Sequence, residues 1–219
     1  MPVKCVWGDN AVAENSALFA ELGKKCLIVT GKSGAKLSGA LGDAVSALDS
    51  QGISYTLFDG ISENPLVSSC FSAGCAAREC KAEFVLGIGG GSVLDACKAI
   101  AIYASNPGLA PMDIYLREYS SKPLPVALIG TTAGTGSEVT SVAVLTNDET
   151  GRKKSISGAD CYTQSRSATR NTPAPCPENQ PYQPLLTLLL MRLRAFLRPS
   201  ATGLSDFMRK NVFLSFTAV

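Results

Sequence analysis

Residues 84–102 read FVLGIGGGSVLDACKAIAI: an apolar run, three consecutive glycines, then apolar residues at helical spacing. A glycine run that closes a strand and opens a helix lets the backbone approach a ligand while several amide N–H groups point outward. The helix N-terminus adds a partial positive charge, so phosphate or diphosphate is the natural occupant. Gly89, Gly90, Gly91 and Ser92 supply this pattern, and Asp95 and Lys98 follow on the first helical turns. Taken alone the turn fits a purely structural role equally well, since its spacing is not GxGxxG.

The surrounding chain repeats the same alternation. KCLIVT from Lys25 reads as a strand ending at Gly31 and Lys32, GALGDAVSALDSQG as a helix stopping at Gly52, and ISYTLFDG as an alternating strand. A helix through Ser69 to Lys81, the strand EFVLGIG, a helix from about Ser92 to Ala104 and the strand LPVALIG follow. Strands alternating with helices of this length imply parallel pairing, hence an α/β fold: a Rossmann-like open parallel sheet with flanking helices. SVAVLTND and GRKKSIS read as a later hairpin joined at NDETG.

A second loop of small residues, GTTAGTGSE over residues 130–138, also lies just after a predicted strand. Two such loops at the carboxyl ends of neighbouring parallel strands flank one crevice, where open α/β sheets bind nucleotides. Thr131, Thr132, Thr135 and Ser137 carry hydroxyls for phosphate or ribose. Each alone is ordinary turn and capping chemistry, and the set as a whole strains that explanation.

Composition narrows the partners. A chain of 219 residues with 46% hydrophobic content can bury a proper core, and a net charge of +2 gives no field favouring nucleic acid or an anionic membrane. No secretory signal stands at the N-terminus, and PLLTLLLMRLRAFLRP is too short and arginine-rich to span a bilayer. A cytoplasmic protein is the expectation. Eight cysteines include no CxxC pair, and the chain has no histidine, so reduced, buried thiols are expected in place of a zinc site. After Tyr162 the pattern breaks: TQSRSATRNTPAPCPENQPYQP has no period and reads as loop or disorder, with one short helix near 185–198. The reading divides the chain into an α/β domain over 1–162 and an irregular tail over 163–219.

GGGSVLDACK and TTAGTGSEVT resemble the two N-terminal signatures of the iron-type alcohol dehydrogenases, and FDGISENP resembles a weaker third. The resemblance runs from near the N-terminus to about Tyr162. It implies a dehydroquinate-synthase-like N-terminal domain that binds NAD or NADP, with Gly89 to Ser92 on the diphosphate and Thr131, Thr132 and Ser137 around the nicotinamide-side phosphate and ribose. The family position after the first strand is often aspartate in NAD users. Here Gly31 and Lys32 stand there, which removes repulsion against a 2′-phosphate. Small alcohols and aldehydes as substrates, and a homodimer paired through this domain, are further implications.

In that family a metal, iron or zinc, sits in a helical C-terminal domain on one aspartate and three histidines. A chain without histidine cannot build that site, so the metal is expected to be absent and the isolated chain inactive. The tail itself suggests a shifted reading frame. TLLLMRLRAFLRP over 187–199 is encodable by bases that read DAFAHAAEGFLAP in the adjacent frame, which resembles the family's metal-ligand helix. TRNTP over 169–173 can read DPKYT in that same frame. The expectation is the nucleotide-binding half of an NAD(P)-dependent alcohol dehydrogenase. The alternatives are a nucleotide-binding module without catalysis and a half-enzyme completed by a separate metal-domain chain.

Overall fold

The structure, a computed structural model, describes residues 5–8, 10–132, 135–158 and 167–170. The chain divides into two units, Met1–Ala174 and Pro175–Val219, and all described residues belong to the first. Its strands are β1 (Cys5–Gly8), β2 (Lys25–Gly31), β3 (Ser54–Ile61), β4 (Phe84–Gly89), β5 (Val126–Gly130), β6 (Val142–Thr146), β7 (Lys153–Ser157) and β8 (Ser167–Arg170). The helices are α1 (Ala11–Glu14), α2 (Ala17–Ala20), α3 (Gly34–Leu37), α4 (Ala40–Ser50), α5 (Val67–Glu79) and α6 (Gly91–Ser105), with a 3-10 turn at Pro111–Tyr115.

Six strands form one sheet in the order β1-β8-β5-β4-β2-β3, and every pairing in it is parallel. Central β4 is buried along its whole length, as an uninterrupted apolar run requires when helices cover both faces. One face packs Leu27, Val29, Val85 and Leu128 against α5 and α6. The other packs Cys26, Ile28, Leu86 and Ile129 against the smaller helices α1 to α4. The β6–β7 hairpin is antiparallel, with Val142 opposite Ser157 and Thr146 opposite Lys153. Its inward residues Ala143, Leu145 and Ile156 join the α6 side of the core.

α6 is buried on all sides from Val93 to Tyr103, because sheet, α5 and hairpin enclose it. α5 comes so close that a Cβ placed on Gly74 would stand 2.5 Å from Tyr103 Cβ. Phe71 meets the Tyr103 ring edge-on at 5.4 Å, and the Tyr103 hydroxyl donates to the Pro111 carbonyl.

Two expectations need correction. The stretch read as loop after Tyr162 contains β8, which runs parallel between β1 and β5 and pairs Ser167 with both Cys5 and Leu128. SATR has no apolar run to mark a strand; the slot between two strands with unsatisfied backbone groups supplies the reason for its conformation. β3, expected to alternate between buried and exposed, is exposed along most of its length, because it is the edge of the sheet among the described residues, with Tyr55 and Leu57 only partly covered. The helix expected near 185–198, the rest of the tail, Cys161 and Cys176 lie outside the described residues. Among the described cysteines, Cys26, Cys70 and Cys97 are buried free thiols and Cys5, Cys75 and Cys80 are half-buried free thiols. Among the described residues no helix is long and apolar enough to cross a membrane.

Candidate functional site

The sheet order reverses at β2. From β2 the chain moves outward to β3, then returns to place β4 on the other side of β2 and β5 beyond it. At such a switch point the loops leaving the carboxyl ends of two neighbouring strands diverge and open a crevice. A cleft of about 490 Å³ lies there. Gly31 and Lys32 after β2, Gly89 to Ser92 after β4, and Thr131 and Thr132 after β5 all line it.

The triple glycine is a matter of room. None of Gly89, Gly90 or Gly91 has a positive φ, and Gly90, at φ −81° and ψ −179°, is extended backbone that any residue adopts. Side-chain-free space is what the three supply. A Cβ on Gly89 would meet Val93 at 2.8 Å, one on Gly90 would meet Thr132 Oγ1 at 3.1 Å, and one on Gly91 would meet Thr135 Cγ2 at 2.7 Å. The first glycine lets α6 pack onto its own strand, and the other two let the loop after β5 close over the turn. The Thr131 amide donates to the Gly89 carbonyl at 3.0 Å, which fixes the two loops against each other. α6 begins at Gly91, so the amides of Gly91 and Ser92 have no intrahelical acceptor and face the positive end of a helix of 15 residues.

A third wall comes from the end of β3, where Ile61, Ser62 and Glu63 line the cleft. The Asn64 amide, in a residue with φ 56°, donates to Ser92 Oγ at 3.4 Å. Sequence reasoning quoted FDGISENP without assigning it to the site; pairing of β2 with β3 is the missing information. Ser33, Gly34 and Ala35 were missed as well, although they directly continue the turn that holds Gly31 and Lys32. At the edge of the cleft, Lys32 and Glu63 are exposed side chains of opposite sign, and Lys36 pairs with Asp59 at 3.8 Å.

Four expected site residues are placed elsewhere. Lys98 Nζ, buried to 1% exposure, donates to the Thr140 carbonyl at 2.9 Å and the Val142 carbonyl at 2.7 Å. Asp95 Oδ2 accepts from the Val144 amide at 3.0 Å, and its Oδ1 stands 3.7 Å from Lys98 Nζ. Both side chains therefore hold the hairpin, and neither lines the cleft. A helix buried on all sides turns its polar residues toward whichever neighbour offers backbone groups, which spacing does not reveal. Ser137 is buried beside Asp95, and its hydroxyl helps to hold the charged carboxylate. Thr135 is exposed and stands over Gly91, outside the cleft lining. Burial pushes the Asp95 carboxyl above its ordinary range, opposed chiefly by the Val144 amide and then by the Lys98 ammonium.

Known proteins match most of the part of the chain that carries this cleft. The family model for iron-containing alcohol dehydrogenase matches residues 2–164. The chain belongs to the iron-containing alcohol dehydrogenase family. It is 36% identical over 136 residues to the long-chain primary alcohol dehydrogenase AdhA of Thermoanaerobacter ethanolicus, covering 62% of this chain and 34% of that protein. It is 35% identical over 153 residues to the probable NADH-dependent butanol dehydrogenase 1 of Bacillus subtilis, covering 69% and 39%. The crystal structure of an iron-containing alcohol dehydrogenase from Thermotoga maritima superposes with a TM-score of 0.86 at 33% identity, over 94% of this chain and 56% of that one. The chain thus spans between about a third and two fifths of the length of these curated relatives.

Iron and a nicotinamide coenzyme belong to such relatives, and the residues present fit the two differently. For the coenzyme, a cleft of about 490 Å³ bordered by Gly89 to Ser92 at the start of α6 suits a diphosphate. For the metal, the chain contains no histidine, and among the described residues no three His, Cys, Asp or Glu side chains gather closely enough to hold an ion. The described residues do not fit the metal.

Proposed function

We propose that this chain binds NAD or NADP in the cleft between β2 and β4 and represents the coenzyme-binding half of an alcohol or aldehyde oxidoreductase. The observation that carries this reading is the position of the Gly89–Ser92 turn at the sheet's switch point, where α6 begins on the wall of the cleft. Gly90, Gly91 and Ser92 would hold the diphosphate, Thr131 and Thr132 would bind one side of it, and Gly31 and Lys32 would border the other. When bound, the nicotinamide supplies the hydride acceptor or donor for alcohol and aldehyde chemistry.

Hydride transfer by this chain alone is not expected, since the family's route polarises the substrate oxygen with a metal, and the described residues gather no ligand set for one. The shifted-frame reading of the tail belongs to the same proposal, as does a cytoplasmic setting, which suits the buried free thiols. No nucleic acid or membrane partner enters the reading, and a homodimer remains part of it.

Titration with NADH and NADPH, followed by nicotinamide fluorescence and by the thermal midpoint, tests the proposal. Binding raises stability by about 2.7 kcal/mol at a coenzyme concentration of 100 times Kd, so a clear upward shift is expected with at least one coenzyme. No shift and no fluorescence change with either at millimolar concentration overturns it. For the tail, the nucleotide sequence decides: an adjacent frame that lacks DAFAH removes the shifted-frame reading.

A further inference from the structure

We infer that Asp95 and Lys98 are positioning residues that tie the loop after β5 to the diphosphate-binding helix, so that one half of the bound coenzyme depends on them and the other does not. The inference rests on the coenzyme-binding reading above. Ser92, Asp95 and Lys98 follow one another at intervals of three on α6, which keeps them on adjoining parts of one helix face. The first borders the cleft. The other two reach the chain that returns from the threonine loop.

Lys98 is the centre of that connection. Its ammonium donates to the carbonyls of Thr140 and Val142, with Thr140 Oγ1 at 3.5 Å, while Asp95 takes the Val144 amide. Residues 140–144 are thereby clamped to the second and third turns of the helix whose first turn carries Gly91 and Ser92. Before the clamp the Val139 amide donates to the Gly136 carbonyl at 3.1 Å, and beside it the Gly158 amide donates to the Ser141 carbonyl at 3.4 Å. Thr131 is held to β4 by its own amide, at 3.0 Å from the Gly89 carbonyl, and the clamp secures the returning end of the loop whose Thr132 and Thr135 stand over Gly90 and Gly91.

The hairpin also has a second, independent tie at its far end. Asp148 accepts from the Ser68 amide at 3.0 Å and from the Ser68 hydroxyl, and the Thr146 amide donates to the Pro65 carbonyl at 2.8 Å. This tie holds the hairpin tip to α5, away from the cleft. It offers a control that weakens the same hairpin without touching the clamp.

A dinucleotide with its diphosphate on Gly90 to Ser92 extends one half toward Thr131 and Thr132 and the other toward Gly31, Lys32 and Glu63. Loosening the clamp should weaken only the half that meets the threonine loop. The test measures binding of ADP-ribose and of reduced nicotinamide mononucleotide, the two halves, together with NADH, to the full chain. K98M is the direct variant. Because it leaves a buried carboxylate without its cation, the charge-neutral double variant D95N/K98M is measured beside it.

The expected result is a loss of at least tenfold for one half-ligand and for NADH, with the other half-ligand within twofold of the parent. D148A should lower the thermal midpoint and leave all three affinities unchanged. Equal losses for both halves, no loss for either, or the same split in D148A overturns the inference while leaving the coenzyme reading intact. Failure of the parent chain to bind NADH or NADPH overturns both.

Discussion

A methyl group added at Gly91 meets Thr135 Cγ2 at 2.7 Å, in a turn where the helix amides must stay open to the cleft. Thr135 is exposed and must give way as a whole, since its Cβ also stands 3.0 Å from the added carbon, and alanine suits a helix better than glycine. G91A is therefore expected to fold with a thermal midpoint close to the parent's while losing at least tenfold in NADH affinity, about 1.4 kcal/mol. A folded G91A that binds as the parent does would place the diphosphate elsewhere.

Asp95 makes a prediction of opposite kind, in stability and not in binding. Its carboxyl is raised by burial above the ordinary value it has in the unfolded chain, so the native state holds the proton more tightly. The stability it contributes is greatest at acid pH and is lost as pH rises from the ordinary carboxylate range through the raised folded value. D95N removes this titration. The stability of the parent relative to D95N should fall across that window, read from urea unfolding at successive pH values; a difference constant with pH is the contrary result.

Among elements, the α5–α6 contact leaves no room for one added carbon. Tyr103 Cβ is 2.5 Å from where a Gly74 Cβ would sit, and the next neighbours are backbone atoms of 103 and 104. Neither helix can yield by turning a side chain. G74A is expected to cost about 1–3 kcal/mol by overpacking, visible as a lower urea midpoint with unchanged slope.

The buried thiols lie on three elements of the same core: Cys26 on β2, Cys70 on α5 and Cys97 on α6. Burial pushes all three up, Cys70 to about 12. At pH 8 a thiol reagent should modify Cys5, Cys75 and Cys80 in the native chain and reach Cys26, Cys70 and Cys97 only after unfolding, as mass mapping of the labelled peptides would report. Fast labelling of Cys97 in the native chain would contradict the packing around α6.

At the scale of the whole molecule, the alternation of elements from Lys25 to Gly130 and the following hairpin were legible in the amino-acid order. Their signals are local: a period of two or an unbroken apolar run for strands, a period near 3.6 for helices, glycine at the turns. The cradle was legible for the same reason, since Gly89 to Ser92 and Thr131 to Thr132 each follow directly on a strand. That both loops face one cleft depended on β4 pairing with β5, which the parallel alternation implies. Family membership rests on these same short segments, which is why it could be read early.

What the tertiary structure decided were relations between distant segments. Four residues without an apolar pattern, Ser167 to Arg170, become a strand because β1 and β5 leave a slot of unpaired backbone groups that they can fill. Ile61 to Glu63 become a wall of the cleft because β3 lies beside β2. Asp95 and Lys98 follow the glycine turn on α6 and face the hairpin, because a charge enclosed on every side settles where opposite charge and backbone dipoles are available. Local order along the chain determines which elements form and where glycine leaves space. Only the assembled fold determines what each buried polar group is facing, since that depends on partners brought from 40 or more residues away.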